Sequence, residues 1–396
     1  MSDRETITGA AEAHREDIIS FLREIIAIPS YSGKEQAVVE RLEQEMWKVG
    51  FDEVRVDAMG NLIGRMGSGD RVVAIDGHCD TVGIGNLDIW ERDPFGAELK
   101  DGVIYGRGAA DQKGGLAAAI YAARIARETG IPDGITLYVV ASVIEEDVEG
   151  INWQNLINKE GVSPEVVLLT EPTDLKICIG QRGRMEIRVR TTGISCHGSA
   201  PDRGMNAIYS MAPIIGEVEG LHRKMASDSI LGPGSLAITD IRSTAPSLCA
   251  VADSATIHID RRLTEGETRK AALAEIEALP AVRKSGAEVF IPEYEVTAWT
   301  GQVLPVTAYY PPWLMSRDDP LVRQALDIGQ EQFGREPEVS TWQFSTNGVA
   351  TRGMFDIPTF GFGPGAEEHA HMPTDQVRVD DLVTAMGFYT AFILRF

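Results

Sequence analysis

Val72-Val73-Ala74-Ile75-Asp76-Gly77-His78-Cys79-Asp80 decides the fold. Four successive apolar residues, three of them β-branched, read as a strand buried on both faces, the kind found in parallel sheets covered by helices. The run passes without a break into Asp76, His78 and Asp80, and α/β sheets place their ligands beyond the carboxyl ends of the strands. Working outward, helical spacing predicts an amphipathic helix from about Ala11 to Ile28, stopped by Pro29, and a second over about Glu35–Val49. Short β-rich runs follow near Glu53–Val56 and Leu62–Arg65. Downstream come a strand at Gly102–Tyr105, a Gly-rich turn and a helix at about Gln112–Glu128. Strands at Ile135–Ser142 and Val166–Thr170 each run into carboxylates.

Beyond Arg182 the pattern changes. A strand (Arg184–Arg190), a helix (about Met205–Leu221), two strands (Ser235–Ile241 and Ala255–Arg261), a helix (Gly266–Leu279) and a strand (Ala287–Ile291) give the order β-α-β-β-α-β of a ferredoxin-like sandwich. Residues 183–298 therefore read as an α+β domain inserted into an α/β domain made of residues 1–182 and 299–396. The larger domain is expected to hold a mixed sheet with helices on both faces. Trp299–Trp313 reads as the return linker, followed by a helix (about Pro320–Phe333), a strand (Thr359–Gly361) and a last helix (about Asp380–Leu394). Two domains suit a chain of 396 residues, since single cores stop growing below that size.

Lys and Arg total 37 against 59 Asp and Glu, a net charge of −22, which repels nucleic acid and anionic membrane surfaces. Cys79, Cys178, Cys196 and Cys249 are scattered without C-x-x-C spacing, so neither a disulfide framework nor a structural zinc site is indicated. The amino terminus lacks a signal-peptide pattern, and no apolar run is long enough to span a bilayer. A cytoplasmic protein with no membrane contact is expected.

Five clusters carry chemistry: His78-x-Asp80, Asp111, Glu145-Glu146, Glu171 and His371. A lone histidine or glutamate pair is ordinarily a solvated surface feature. Five such clusters, each after an apolar strand-like run, are not. Imidazole and carboxylate donors without thiolates suit a hydrolytic site holding zinc, cobalt or manganese. Two cations need a bridging carboxylate, for which Asp111 is the best candidate. His78 and Glu171 then complete the surroundings of one metal, Glu146 and His371 those of the other. Asp80 is placed to accept the second ring N–H of His78. Glu145, next to a ligand but pointing elsewhere, is left as the general base. His369 is an alternative to His371, because side chains two apart on a strand share a face. His14, His222 and His258 lack this context. Gly106-Arg107-Gly108 is not a dinucleotide fingerprint, since Asp111 stands where a pyrophosphate would sit, and Gly114-Gly115 reads as close packing at a helix start.

These segments resemble a known family. Asp76–Thr81, Tyr105–Gly115, Glu145-Glu146-Asp147, Thr170-Glu171-Pro172 and Gly363-Pro364-Gly365 before His371 are similar to motifs of the dizinc hydrolases that include carboxypeptidase G, aminoacylase-1, acetylornithine deacetylase and succinyl-diaminopimelate desuccinylase. The likeness runs from about Ile28 to the carboxyl terminus. It implies His78, Asp111 and Glu171 on one zinc, Asp111, Glu146 and His371 on the other, and Glu145 as base; Met372-Pro373 matches the family spacing after the last ligand. It further implies that the inserted domain is a lid that dimerises. Within Ser195-Cys196-His197-Gly198, His197 would polarise the substrate carbonyl in a neighbouring subunit's site, with Asn206 beside it, and Arg262 would bind a substrate carboxylate. Three departures bear on substrate identity. Ile144 stands where Asp is usual, Asp375 where Glu is usual, and Ser345-Thr346-Asn347-Gly348 replaces a motif that generally carries Asp, which makes Asn347 a candidate substrate contact. Ser195–Ala200, Ser345–Gly348 and His371–Asp375 most resemble a branch associated with selenium metabolism, a label that says little about the reaction.

The expected activity is metal-dependent hydrolysis of an amide in an N-acyl or N-carbamoyl amino acid or a small peptide, with the linkers Gly180–Gly183 and Trp299–Pro305 as hinges. An exopeptidase of dipeptidase or carboxypeptidase type is the nearest rival. A non-catalytic metal- and ligand-binding homologue is the reading from another class, and the presence of both the base and every ligand counts against it.

Overall fold

The structure, a computed structural model, describes residues 3–396. Arg71–His78 lies inside a nine-stranded mixed sheet, parallel to Ile135–Ser142 on one side and to Val166–Leu169 on the other. Its residues from Val73 to His78 are buried. Leu62–Gly67 and Glu53–Val56 extend the sheet antiparallel at one end, and Thr359–Gly361, Ile177–Gln181 and Trp313–Leu314 extend it at the other. Helix Gly114–Thr129, with six alanines, packs against helix Val379–Arg395 and the central strands. Its start sits close to the sheet because residue 115 is glycine: a Cβ there would lie 2.8 Å from that of Thr170. Among the described residues no helix is long and apolar enough to cross a membrane.

A second hydrophobic core is separate from the first and is built from Met185, Ile187, Val189, Met211, Ile214 and Ile257 with their neighbours. Its sheet runs Ser235–Thr244, Ser254–Leu263, Gly183–Thr192, Glu288–Phe290, all antiparallel, with helices Ala207–His222 and Arg269–Glu277 between the strands in the chain. That is strand order 2-3-1-4, the ferredoxin-like arrangement.

Four segments differ from expectation. Trp299–Trp313 is largely strand: Val303–Thr307 forms a ribbon with Glu293–Thr297, Tyr309–Tyr310 pairs with Gly183–Thr192, and Trp313–Leu314 joins the large sheet. A two-stranded ribbon tolerates Pro305, opposite Glu295, because each of its strands has a free edge. Ala298, Val306 and Tyr310 pack in the larger core and Ala308 in the smaller, so the return segment alternates between the two. Strands Ile177–Gln181 and Val339–Trp342 and the eight-residue helix Ile151–Asn158 were not evident, since the strands are short with Gly180, Ser340 and Thr341 inside them and the helix spans barely two turns.

Gly361 lies on the Trp342 indole, which is buried and donates its N–H to the Pro172 carbonyl at 3.1 Å. A methyl group at 361 would overlap that ring. Gly361→Ala is expected to lower stability by about 1–3 kcal/mol, as overpacking does. Urea unfolding checks this, and an unchanged midpoint would show that the ring can move aside at no cost.

Candidate metal centre

Register brings the site together. His78 pairs with Ser142, and Asp76 with Leu169, so three neighbouring parallel strands end at one edge of the sheet. His78 is the last residue of its strand, Glu145 and Glu146 follow Ser142, and Glu171 follows Leu169. Asp111 comes from the irregular turn before helix Gly114–Thr129, with a cis peptide bond to Gln112. His371 comes from the loop before strand Gln376–Arg378, in the left-handed region at φ 62°.

The two oxygens of Asp111 face two different histidines. Oδ1 lies 3.0 Å from His78 Nε2, and Oδ2 lies 3.4 Å from His371 Nε2. His371 Nε2 is also 2.8 Å from Glu146 Oε2. Glu145 Oε2 and Glu171 Oε2 each stand 3.9 Å from His78 Nε2. Donor atoms of His78, Glu145 and Glu171 gather within 4.8 Å, as do those of His78, Asp111 and Glu146. Proximity alone would make Glu145 a ligand; Asp111 divided between two imidazoles is the stronger grouping, because its contacts are closer. A cavity of about 280 Å³ opens here, lined by Asp111, Glu145, Glu146, Glu149, Phe344 and His371 among others.

Asp80 departs from its expected role. The ring Nδ1 of His78 lies 2.9 Å from the main-chain carbonyl of Asp80 and 3.6 Å from its carboxylate. The carboxylate instead accepts the amide N–H groups of Glu145 at 3.2 Å and Glu146 at 3.1 Å, and the Ser32 hydroxyl at 2.7 Å. A main-chain carbonyl fixes the tautomer equally well, which frees the side chain to orient the glutamate pair. Asn347 is a second correction. It is buried, with its amide N–H groups on Asp76 at 2.8 Å and Ser142 at 3.1 Å and its oxygen accepting the Gly150 N–H at 2.8 Å. No amide proton is left for a substrate, and the residue braces the strand ends instead.

Further support lies one layer out. Asp375 is buried and accepts the N–H groups of Gly108 and Ala110 at 2.7 and 2.8 Å, holding the turn that carries Asp111. Arg107 pairs with Asp375 at 3.1 Å and donates to the His371 carbonyl at 3.2 Å. Glu35 accepts the N–H of Ile144, whose φ of 59° is costly for a β-branched residue. The acid-to-turn spacing of Asp375 is readable in the sequence only as a matching motif, since nothing local links positions 265 apart.

Of the other expected residues, His197 lies on an exposed loop of the smaller unit with Nδ1 2.7 Å from the Ser199 hydroxyl. Asn206 caps helix Ala207–His222, accepting the Ile208 N–H, and Arg262 pairs with Asp260 at 2.9 Å. His369 bonds to Gln376 rather than joining His371. His14 pairs with Asp17 and Glu128, His222 accepts the Leu236 N–H, and His258 pairs with Glu186, all apart from the cluster.

Burial above all, with the neighbouring carboxylates, pushes the pKa values of Glu145 and Glu171 well above the usual range. Burial opposes ionisation of Asp111 too, but His371 and His78 outweigh it and hold its pKa down. Glu145 Oε1 and Glu171 Oε2 are buried without a hydrogen-bond partner. Four carboxylates and two imidazoles converging on buried, unpartnered oxygens is the donor chemistry of a divalent-cation pair, so the residues fit two metal ions.

Residues 74–395 match the family described as peptidase family M20/M25/M40. YgeY of Escherichia coli (strain K12) is 48% identical over 98% of this chain and 96% of its own length. A succinyl-diaminopimelate desuccinylase of Cereibacter sphaeroides is 27% identical over 94% of this chain and 97% of its own. Aminopeptidase PepT from Bacillus cereus matches the structure with a TM-score of 0.72 at 23% identity, over 96% of this chain and 98% of its own. The YXEP protein of Bacillus subtilis, a dinuclear metal-binding peptidase, matches with 0.70 at 14% identity, over 97% and 98%. At these identities the two structures speak for the fold.

Two outcomes follow from the geometry. Asp111→Ala is expected to lose both metal ions while His371→Ala keeps one, counted by native mass spectrometry; two ions retained by Asp111→Ala would rule out a bridge. Glu35 has its pKa raised to about 7, by burial first and by the Asp80 charge second. An acid whose folded pKa exceeds its unfolded value destabilises the protein increasingly as pH rises from 4.5 to about 7. Glu35→Gln keeps an oxygen for the Ile144 N–H and removes that penalty, so it is expected to be more stable than the parent at pH 8 by up to about 3 kcal/mol and nearly equal at pH 4.5. A gap independent of pH in urea unfolding would exclude the titration.

Proposed function

Because the chain belongs to peptidase family M20/M25/M40, we propose that it hydrolyses an amide bond in an N-acyl or N-carbamoyl amino acid or a small peptide. It is a dinuclear metal-dependent amidohydrolase or metallopeptidase by family. The observation that carries the reading is the division of Asp111 between His78 and His371, with Glu145 beside them. His78, Asp111 and Glu171 would hold one ion, and Asp111, Glu146 and His371 the other, zinc being the first choice and cobalt or manganese acceptable to the same donors. When bound, the pair polarises the scissile carbonyl and makes water acidic enough to be deprotonated near neutral pH.

The chain's own residues do the rest. Glu145 takes the proton from the attacking water and delivers it to the leaving nitrogen. Asp80 holds it in place through the main chain. His197 donates to the developing oxyanion, and Arg262 engages a substrate carboxylate after leaving Asp260. For His197 to act on the site of a second copy, the smaller unit must dimerise. Ile194, Met205, Ile208, Tyr209, Ile241 and Leu248 are all exposed on it, and Ser235–Thr244 is an edge strand, both features of a surface that another chain covers.

The desuccinylase relative supports an N-acyl substrate, while the aminopeptidase neighbour makes exopeptidase action the second reading. Metal-reconstituted protein assayed on N-acetyl, N-succinyl, N-formyl and N-carbamoyl amino acids and on dipeptides separates the two. The expected result is turnover of one class, with Glu145→Ala binding two ions yet slower by about 10³ or more. Two bound ions with no turnover anywhere in the panel would sink this reading in favour of a binding protein.

A further inference from the structure

Arg184 is the second residue of the first strand of the smaller unit, opposite Tyr310 on one side and Arg262 on the other. Its neighbour Met185 belongs to the second core, whereas Tyr310 belongs to the first, so Arg184 sits on the seam between them. The guanidinium lies 4.4 Å over the Tyr310 ring, and Nη2 is 3.1 Å from Glu149 Oε2. Glu149 lies three residues after Glu146, on the segment without helix or strand between Ser142 and Ile151, and it lines the catalytic cavity. A second carboxylate competes for the cation from the other side. Glu186 Oε1 is 3.7 Å from Arg184 Nη1, and Glu186 is kept within the smaller unit by His258 at 3.0 Å and the Tyr294 hydroxyl at 2.5 Å. Beside the pair lies a cavity of about 290 Å³, lined by Glu149, Arg269, Tyr309, Tyr310 and Met354 among others.

We propose that Arg184 is a positioning residue that anchors the 143–150 loop, and with it Glu145 and Glu146, to the smaller unit through Glu149. The proposal rests on the roles given to those two glutamates above. Arg184 has one carboxylate on each side of the seam. When the smaller unit swings away the guanidinium stays with Glu186, and the loop loses its anchor. When it returns, Glu149 is engaged and the loop is held in the geometry seen here. A planar fork that also stacks on Tyr310 suits this task, and lysine reproduces the charge but not the stacking.

Hydrogen exchange of the 143–150 loop in the metal-loaded full chain is the test, with Arg184→Gln, Glu149→Gln, the double variant and Arg184→Lys compared with the parent. Each neutral single variant is expected to raise exchange in that loop by about tenfold, the double variant no further, and Arg184→Lys to fall between. On whichever substrate the panel identifies, kcat falls by about tenfold with KM within about twofold, and the two single effects do not multiply. Unchanged loop exchange in both singles, or a double effect equal to the product of the singles, overturns the proposal. Should Arg184→Gln unfold the smaller unit, exchange rises throughout it, and Glu149→Gln with Arg184→Lys then decides. Exchange is read without turnover, so a failed substrate panel leaves this result standing, and a working hydrolase with an indifferent loop would sink the anchor alone.

Discussion

Mutual repulsion among buried carboxylates is the constraint on which the rest of this structure depends. Asp111, Glu145 and Glu171 are buried and Glu146 is half-buried, all within reach of His78 or His371, in surroundings where an unpaired charge is costly. Such a cluster persists only if the backbone carrying it is held more firmly than the charges push it apart, and if cations complete it. Much of the unusual detail of the chain serves the first requirement. Asp80 holds the amides of Glu145 and Glu146, Asp375 holds the turn before Asp111, and Asn347 ties Asp76 and Ser142 to Gly150.

These braces are themselves buried and charged or polar, and each is satisfied by main-chain groups or by a neighbour. Lys113 shows the pattern: fully buried, it donates to the carbonyls of Ile25 and Ile28, which ties the turn bearing Asp111 to the end of an amino-terminal helix. Burial lowers its pKa to about 8. The left-handed Ile144 is tolerated on the same terms, with Glu35 accepting its N–H next to the glutamate pair. The smaller unit reaches this assembly through the Arg184–Glu149 contact, which ends on the same loop.

Much of this was legible in the residues. The run from Val72 to Asp80 announces a buried parallel strand ending in polar residues, and strands 135–142 and 166–169 repeat the design, because a strand buried on both faces must be continuously apolar and its carboxyl end must be where polar chemistry begins. The β-α-β-β-α-β order of the smaller unit was readable for the same reason, as local periodicity encodes local structure. What periodicity does not encode is which distant segments meet. Val303–Thr307, with a proline at its centre, looks like a linker until its partner Glu293–Thr297 is known. Asn347 looks like a substrate contact until its amide is found on Asp76, 271 positions away.

The sequence by itself determined the class of chemistry, since ligand type, charge and strand-end placement are properties of residues and their near neighbours. Only the tertiary structure decided how that chemistry is divided. Whether Asp80 presents its carbonyl or its carboxylate to His78, which oxygen of Asp111 faces which histidine, and whether His369 or His371 joins the cluster depend on distances of a few ångströms between loops far apart in the chain. Those distances follow from strand register and from buried hydrogen bonds that form only once the sheet has assembled, which is why no stretch of residues read alone contains them.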